Sequence, residues 1–228
     1  MNRFASAFYQ PIKRSSHSEA GLTLLEVTVA IVMLGVILTA MAPPLLISAA
    51  TRVKLRRASQ ARLIAQEEVN RVQGIMMRSR DENLPTDNQG NYIGLPPISN
   101  SDDLTATPAP SDPSDLTALR QVDVDQDGED DFFVQVFREE GALFAAGEAQ
   151  CEPAVFRMGV RVYSMLAAEN LGNLQKEKAS LQMADGLGEQ STHPMAVLYS
   201  EISRSDRDLS LDAYRDYLAG NGVPAACP

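Results

Sequence analysis

Hydrophobic and polar positions divide this chain into stretches with different periodicities. Residues 27–51 contain no charged side chain, and Leu22, Leu24 and Leu25 extend the apolar run upstream. About twenty apolar residues in a helix cover the hydrocarbon thickness of a bilayer, so this stretch predicts a membrane-spanning helix. Beyond it, Ala58, Ala61, Ala65, Val69, Val72 and Met76 recur at spacings of three or four with charges on the opposite side. That period predicts a helix that continues past the membrane with one apolar stripe, weakened at Gly74 and ending by about Arg80. Pro43 and Pro44 each remove a helix hydrogen bond and crowd the preceding turn, which predicts a kink or local opening there.

The second half of the chain changes period. Residues 81–118 hold six of the thirteen prolines among many Ser, Thr, Asn and Asp, and read as irregular chain. Phe132–Arg138 is rich in aromatic and β-branched residues. Residues 155–166 alternate, with Phe156, Met158, Val160 and Val162 on one face and Arg157, Arg161 and Tyr163 on the other. Residues 195–203 alternate again, and 119–124 form a shorter candidate strand. The polar stretch 169–194, with Gly172, Gly186 and Gly188, reads as a long hairpin connection. Leu211, Tyr214 and Leu218 suit a short closing helix stopped by Gly220. The expected class is α+β: a long N-terminal transmembrane helix that continues into a soluble domain and packs on a small antiparallel sheet.

Charge placement sharpens this picture. Eight of the 20 basic residues lie between Arg52 and Arg80, whereas residues beyond 80 carry nine basic against 26 acidic side chains, a net of −17. An acidic distal region argues against gripping nucleic acid, whose phosphates need a basic surface. It suits a domain facing water or one that binds divalent cations.

The edge of the apolar run carries the most specific signal: Gly21-Leu22-Thr23-Leu24-Leu25-Glu26, then unbroken apolar sequence. An ordinary secretory signal is the competing reading, and Ala40-Met41-Ala42 offers a small-x-small cleavage site. Pro43 directly after that cut is a poor substrate position. A lone carboxylate at the head of a membrane helix is costly and by default functional; the plain alternative is a glutamate that snorkels to the interface.

Together these residues resemble the prepilin-type cleavage and methylation motif of type IV pilins and pseudopilins. The resemblance implies a leader over residues 1–21, a cut between Gly21 and Leu22 by a prepilin peptidase, and methylation of the new amine. Glu26 then stands fifth and Pro43 twenty-second, the place of a helix-bending proline in many pilins; Pro44 departs from that pattern. It also implies that Glu26 pairs with the N-terminal amine of a neighbouring subunit, which removes two unfavourable charges at once and sets helix register. The implied organisation is a transmembrane helix over 22–50, its soluble half over 51–80, an irregular loop over 81–118 and a β-sheet head with a short C-terminal helix over 119–228, a pilin-like roll.

Basic residues flank the apolar run on both sides, Arg3, Lys13 and Arg14 before it and Arg52, Lys54, Arg56, Arg57 and Arg62 after it. Their count favours a cytoplasmic head. The cleavage motif, processed from the cytoplasmic face, favours the opposite orientation and decides it here: a single-pass protein of the inner membrane with its head in the periplasm or an extracytoplasmic filament. The implied partners are the prepilin peptidase, other pilin or pseudopilin subunits and an inner-membrane assembly platform, with no nucleic acid.

Asp123, Asp125, Asp127, Gly128 and Asp131 match the pattern D-x-D-x-D-G-x-x-D. Calcium takes six to eight oxygens, and alternate residues of a glycine-turned loop deliver them. Asp123, Asp125 and Asp127 would be side-chain ligands, Glu129 a carbonyl ligand and Asp131 a direct or water-mediated one. The glutamate expected twelfth in an EF-hand is Val134 here, so the other reading, an acidic turn between strands, stays open. Cys151 and Cys227 are the only cysteines; outside the cytoplasm one disulfide is the natural reading, and two free thiols are the alternative, since the sequence does not bring the sulfurs together.

No nucleophile–base pairing or phosphate-cradling glycine loop stands out, so an enzyme is not expected. Phe156-Arg157-Met158-Gly159-Val160-Arg161-Val162-Tyr163 and Val197-Leu198-Tyr199-Ser200-Glu201-Ile202-Ser203, together with Ala50-Thr51-Arg52-Val53 and Val134-Gln135-Val136-Phe137-Arg138, are similar to the hormogonium polysaccharide secretion pseudopilins of filamentous cyanobacteria. That likeness implies a structural subunit of a type II secretion or type IV pilus-like filament serving polysaccharide export and gliding motility. The alternative is a minor type IV pilin for adhesion or DNA uptake.

Overall fold

The computed structural model describes residues 23–78, 84–87, 92–99, 103–144, 152–180, 189–204 and 210–220. It divides into two compact units, residues 1–49 and 50–228. Helix α1 spans Leu24–Arg78. Thr23 opens it, its Oγ1 accepting the Glu26 N–H at 3.2 Å, a capping interaction that satisfies one of the orphan donors of the first turn. The backbone stays helical at Pro43 and Pro44, so the local opening expected there does not occur. Proline's fixed φ is itself helical, and the turn continues although the carbonyls of Thr39 and Ala40 lose their usual donors.

In the first unit, Leu24–Met41 is long and apolar enough to cross a membrane, and none of it is buried. In the second unit, the later part of α1 lies on an antiparallel sheet. The sheet's strands are β1 (Arg120–Val122), β2 (Phe132–Arg138), β3 (Ala142–Leu143), β4 (Pro153–Ser164) and β5 (Ala196–Ser203). β4 is central. One of its edges pairs with β2, Val134 opposite Val162, and then with β3; the other pairs with β5, Val160 opposite Leu198. β1 extends the sheet beyond β2. Gly141 makes the β2–β3 corner at φ +73°, where a Cβ would lie 2.1 Å from the Val155 carbonyl oxygen; only glycine fits.

All six residues of the apolar helix stripe are buried, joined by Ile64. They pack against Phe132, Val134, Phe156, Met158, Val160, Val162, Ala196 and Ile202 on one sheet face. Each fully buried aliphatic of this layer contributes roughly 1.5–3 kcal/mol of transfer free energy. Within the stripe Glu68 is also buried. Its carboxylate takes Arg71 at 2.9 Å and Arg120 of β1, so one buried charge ties helix to sheet.

The second sheet face is covered too. Phe133 and Tyr163 stack at 5.1 Å, and burial pushes the Tyr163 hydroxyl up to about 12. Arg161 is buried; its Nη1 donates to the Thr107 carbonyl at 2.8 Å and its Nη2 to that of Leu104 at 3.3 Å. The proline-rich stretch expected to be irregular therefore holds a short helical turn at Leu104–Ala106 and helix α2 (Pro113–Ala118). Helix α3 (Ser210–Leu218) forms as expected, with Gly220 beyond it at φ +71°. Its leucines, Leu211 and Leu218, face solvent; Tyr217 instead donates its hydroxyl to Glu139 at 2.5 Å.

Candidate functional site

Two features of the sequence carry candidate function, and they lie in different units. At the first, Glu26 is exposed in the opening turn of α1. Its carboxylate stands where the unsatisfied N–H groups create positive potential, so a negative charge is at home there even without a partner. Gly21 and Leu22 lie outside the described residues. Pro43 is helical backbone.

The second is the loop between β1 and β2. Asp123 Oδ1 accepts the Gln126 N–H at 2.7 Å and Oδ2 the Gly128 N–H at 2.9 Å. Asp127 Oδ1 accepts the Glu129 N–H at 2.8 Å, and Asp131 Oδ2 that of Val124 at 3.0 Å. Gln126 and Gly128 take positive φ, 61° and 93°, which curls the loop until the carboxylates converge. Oxygens of Asp123, Asp125 and Asp131 lie within 4.8 Å of one another, the span of oxygens around one ion at a calcium–oxygen distance of about 2.4 Å. Asp127 does not join that trio, and its carboxylate instead holds the Glu129 N–H. Glu129 is exposed, its backbone engaged with Asp127.

The donor set is all hard oxygen, which fits calcium or magnesium and not a soft metal. Asp123, Asp125 and Asp131 would hold the ion. Although Asp125 is exposed, some loss of hydration in the curled loop and then the neighbouring charge of Asp127, with Asp131 and Asp123, push its carboxyl above its ordinary value, against the Asp127 N–H that lowers it. A bound cation would reverse this repulsion.

The sequence did not disclose what faces this loop. Arg52, Arg56, Arg57 and Gln60 of α1 line a cleft of about 540 Å³ together with Asp125 and Asp131. The basic stretch of the helix thus has acidic neighbours within its own chain. The signal available was the charge contrast between residues 52–62 and 123–131; the pairing needed the fold. Cys151 and Cys227 lie outside the described residues.

Comparison with protein-family models, with curated proteins and with solved structures returned no match.

Proposed function

We propose that this chain is a structural subunit, a pseudopilin, of a type II secretion or type IV pilus-like filament rooted in the inner membrane. The observation that supports it best is the division of labour within α1. Its first part, Leu24–Met41, is apolar and wholly uncovered, while its later stripe is buried in the antiparallel head. An uncovered apolar helix has two stable environments, lipid and the helices of other copies, and a filament subunit uses both in turn. Glu26 at the head of that helix supplies a carboxylate for a neighbour's amine. The prepilin peptidase and an inner-membrane assembly platform are the partners this requires. Polysaccharide export with gliding motility is the process we assign, on the sequence likeness of the strands. The acidic loop between β1 and β2 takes calcium in this reading and stiffens the start of β2.

The test is Glu26→Ala in the native host. The variant should reach the membrane at normal levels or better, because an apolar residue is at home in lipid, yet be depleted from sheared filaments. Normal incorporation would overturn the assigned role. Deletion of the gene, with exported polysaccharide, secreted protein and piliation scored side by side, assigns the process.

A further inference from the structure

Among the described residues Arg138, which ends β2, makes no ion pair. The residue is only 5% exposed, and its guanidinium lies 5.1 Å from the centre of the Phe156 ring. Nε donates to the Pro96 carbonyl at 3.0 Å, and Nη1 to the carbonyls of Glu139 and Glu140 at 3.2 and 3.3 Å. Among the described residues no carboxylate reaches ion-pair distance, and Nη2 makes no hydrogen bond. The comparison within the same head is Arg204, equally buried, which meets Glu152 at 2.8 Å. A buried charge is normally balanced by an opposite charge and full hydrogen bonding. Arg138 has part of the second, and of the first only the more distant charge of Glu140.

The same side chain lines a cavity of about 670 Å³, in the size range of small-molecule sites. Leu95, Pro97 and Ile98 give it apolar walls, and Tyr92 and Asp87 add polar groups. Nη2, the one guanidinium nitrogen without a bond among the described residues, can donate a charge-assisted hydrogen bond to a carboxylate or sulfate oxygen. Asp87 on the same lining repels a multiply charged anion and can accept hydrogen bonds from hydroxyls. We infer that this cavity binds a small polyhydroxylated ligand bearing a single oxyanion, of the sugar-acid class, with Arg138 Nη2 taking the carboxylate. The inference is independent of the filament reading; a filament failure would leave it standing.

Thermal melting of the full-length protein in detergent tests it, with sodium glucuronate, glucose and sodium sulfate at matched ionic strength. Glucuronate should raise the melting temperature by several degrees, glucose should leave it unchanged, and sulfate should act more weakly. Arg138→Gln should abolish the glucuronate shift. Because that change also loosens the Pro96 segment, Ile98→Trp serves as a second variant: it keeps every Arg138 bond and fills the cavity from a half-exposed wall, and it too should abolish the shift. Equal responses to glucuronate and glucose, a sulfate shift as large as that of glucuronate, or an undiminished shift in either variant would overturn the assignment.

Discussion

Gly159, in the middle of β4, offers a substitution whose sign separates local propensity from packing. Its neighbours across the strands are Phe137 on β2 and Tyr199 on β5. Both rings fold over it, edge to face with centroids 6.5 Å apart. A Cβ at this position would lie 2.5 Å from Cε2 and Cζ of Phe137 and 3.0 Å from Cε1 of Tyr199. Phe137 is buried, and the Arg161 guanidinium sits 4.8 Å from its ring centre, so the ring can retreat only by disturbing an arginine that holds the Thr107 and Leu104 carbonyls. By propensity alone, glycine to alanine inside a strand should stabilise by roughly 0.5–1 kcal/mol. Overpacking of a filled site costs about 1–3 kcal/mol and should win. Gly159→Ala is therefore expected to lower the melting temperature, on the order of 2–4 °C per kcal/mol lost for a chain of this size. Phe137→Leu removes the obstructing ring edge at its own cost. The double variant should be less destabilised than the sum of the singles by about 1 kcal/mol, the coupling expected of residues in contact. Thermal and urea unfolding of the full-length protein in detergent provide the numbers. An unchanged or raised melting temperature for Gly159→Ala, or strict additivity in the double variant, would refute the packing argument.

Two further predictions concern charge. If Asp123, Asp125 and Asp131 share calcium, the ion should raise the melting temperature by several degrees over chelator, since binding at a hundredfold above Kd stabilises by about 2.7 kcal/mol. Asp125→Asn with Asp127→Asn should remove the rise, and equal melting with calcium and chelator in the unmutated protein returns the loop to an acidic turn. Glu139 accepts from Arg157 at 2.8 Å and from the Tyr217 hydroxyl; although burial opposes it most, these bonds hold its carboxyl below the ordinary value. A depressed acid stabilises above its unfolded value, about 4.3, and that contribution is lost as pH falls through the folded value. The protection of α3 amides, with exchange corrected for its intrinsic pH dependence, should fall on acidification below about pH 4, and Glu139→Gln should make that protection nearly independent of pH; an unmutated α3 whose protection is indifferent to acid would contradict the link.

The architecture was legible in the sequence where one physical pattern dominates. The helix stripe from Ala58 to Met76 and the β4 alternation Phe156, Met158, Val160, Val162 meet in one core because burial of a single face imposes a period. The opposite β4 face was harder. Arg161 and Tyr163 have the polar look of a solvent face, yet both are buried, because the 104–111 segment folds back and offers carbonyls to the guanidinium. Backbone acceptors leave no trace in side-chain patterning. The proline-rich stretch hid its helical turns for the same reason: Asp103 and Asp112 cap them through local hydrogen bonds, a short-range signal easily taken for loop composition. In α3 the leucines suggested the buried side, while Tyr217 found Glu139. For the candidate site, the aspartate spacing announced the loop but not its facing arginines, Arg52, Arg56 and Arg57, which lie far away in the chain.

The central claim is maturation into a filament subunit, and the N-terminus of the protein made by its native host tests it most directly. Mass spectrometry of the N-terminal peptide should find a chain that begins at Leu22 with a methylated amine, the one start that makes Glu26 fifth and Pro43 twenty-second. A chain that begins at Met1, or just after Ala42, would contradict the account.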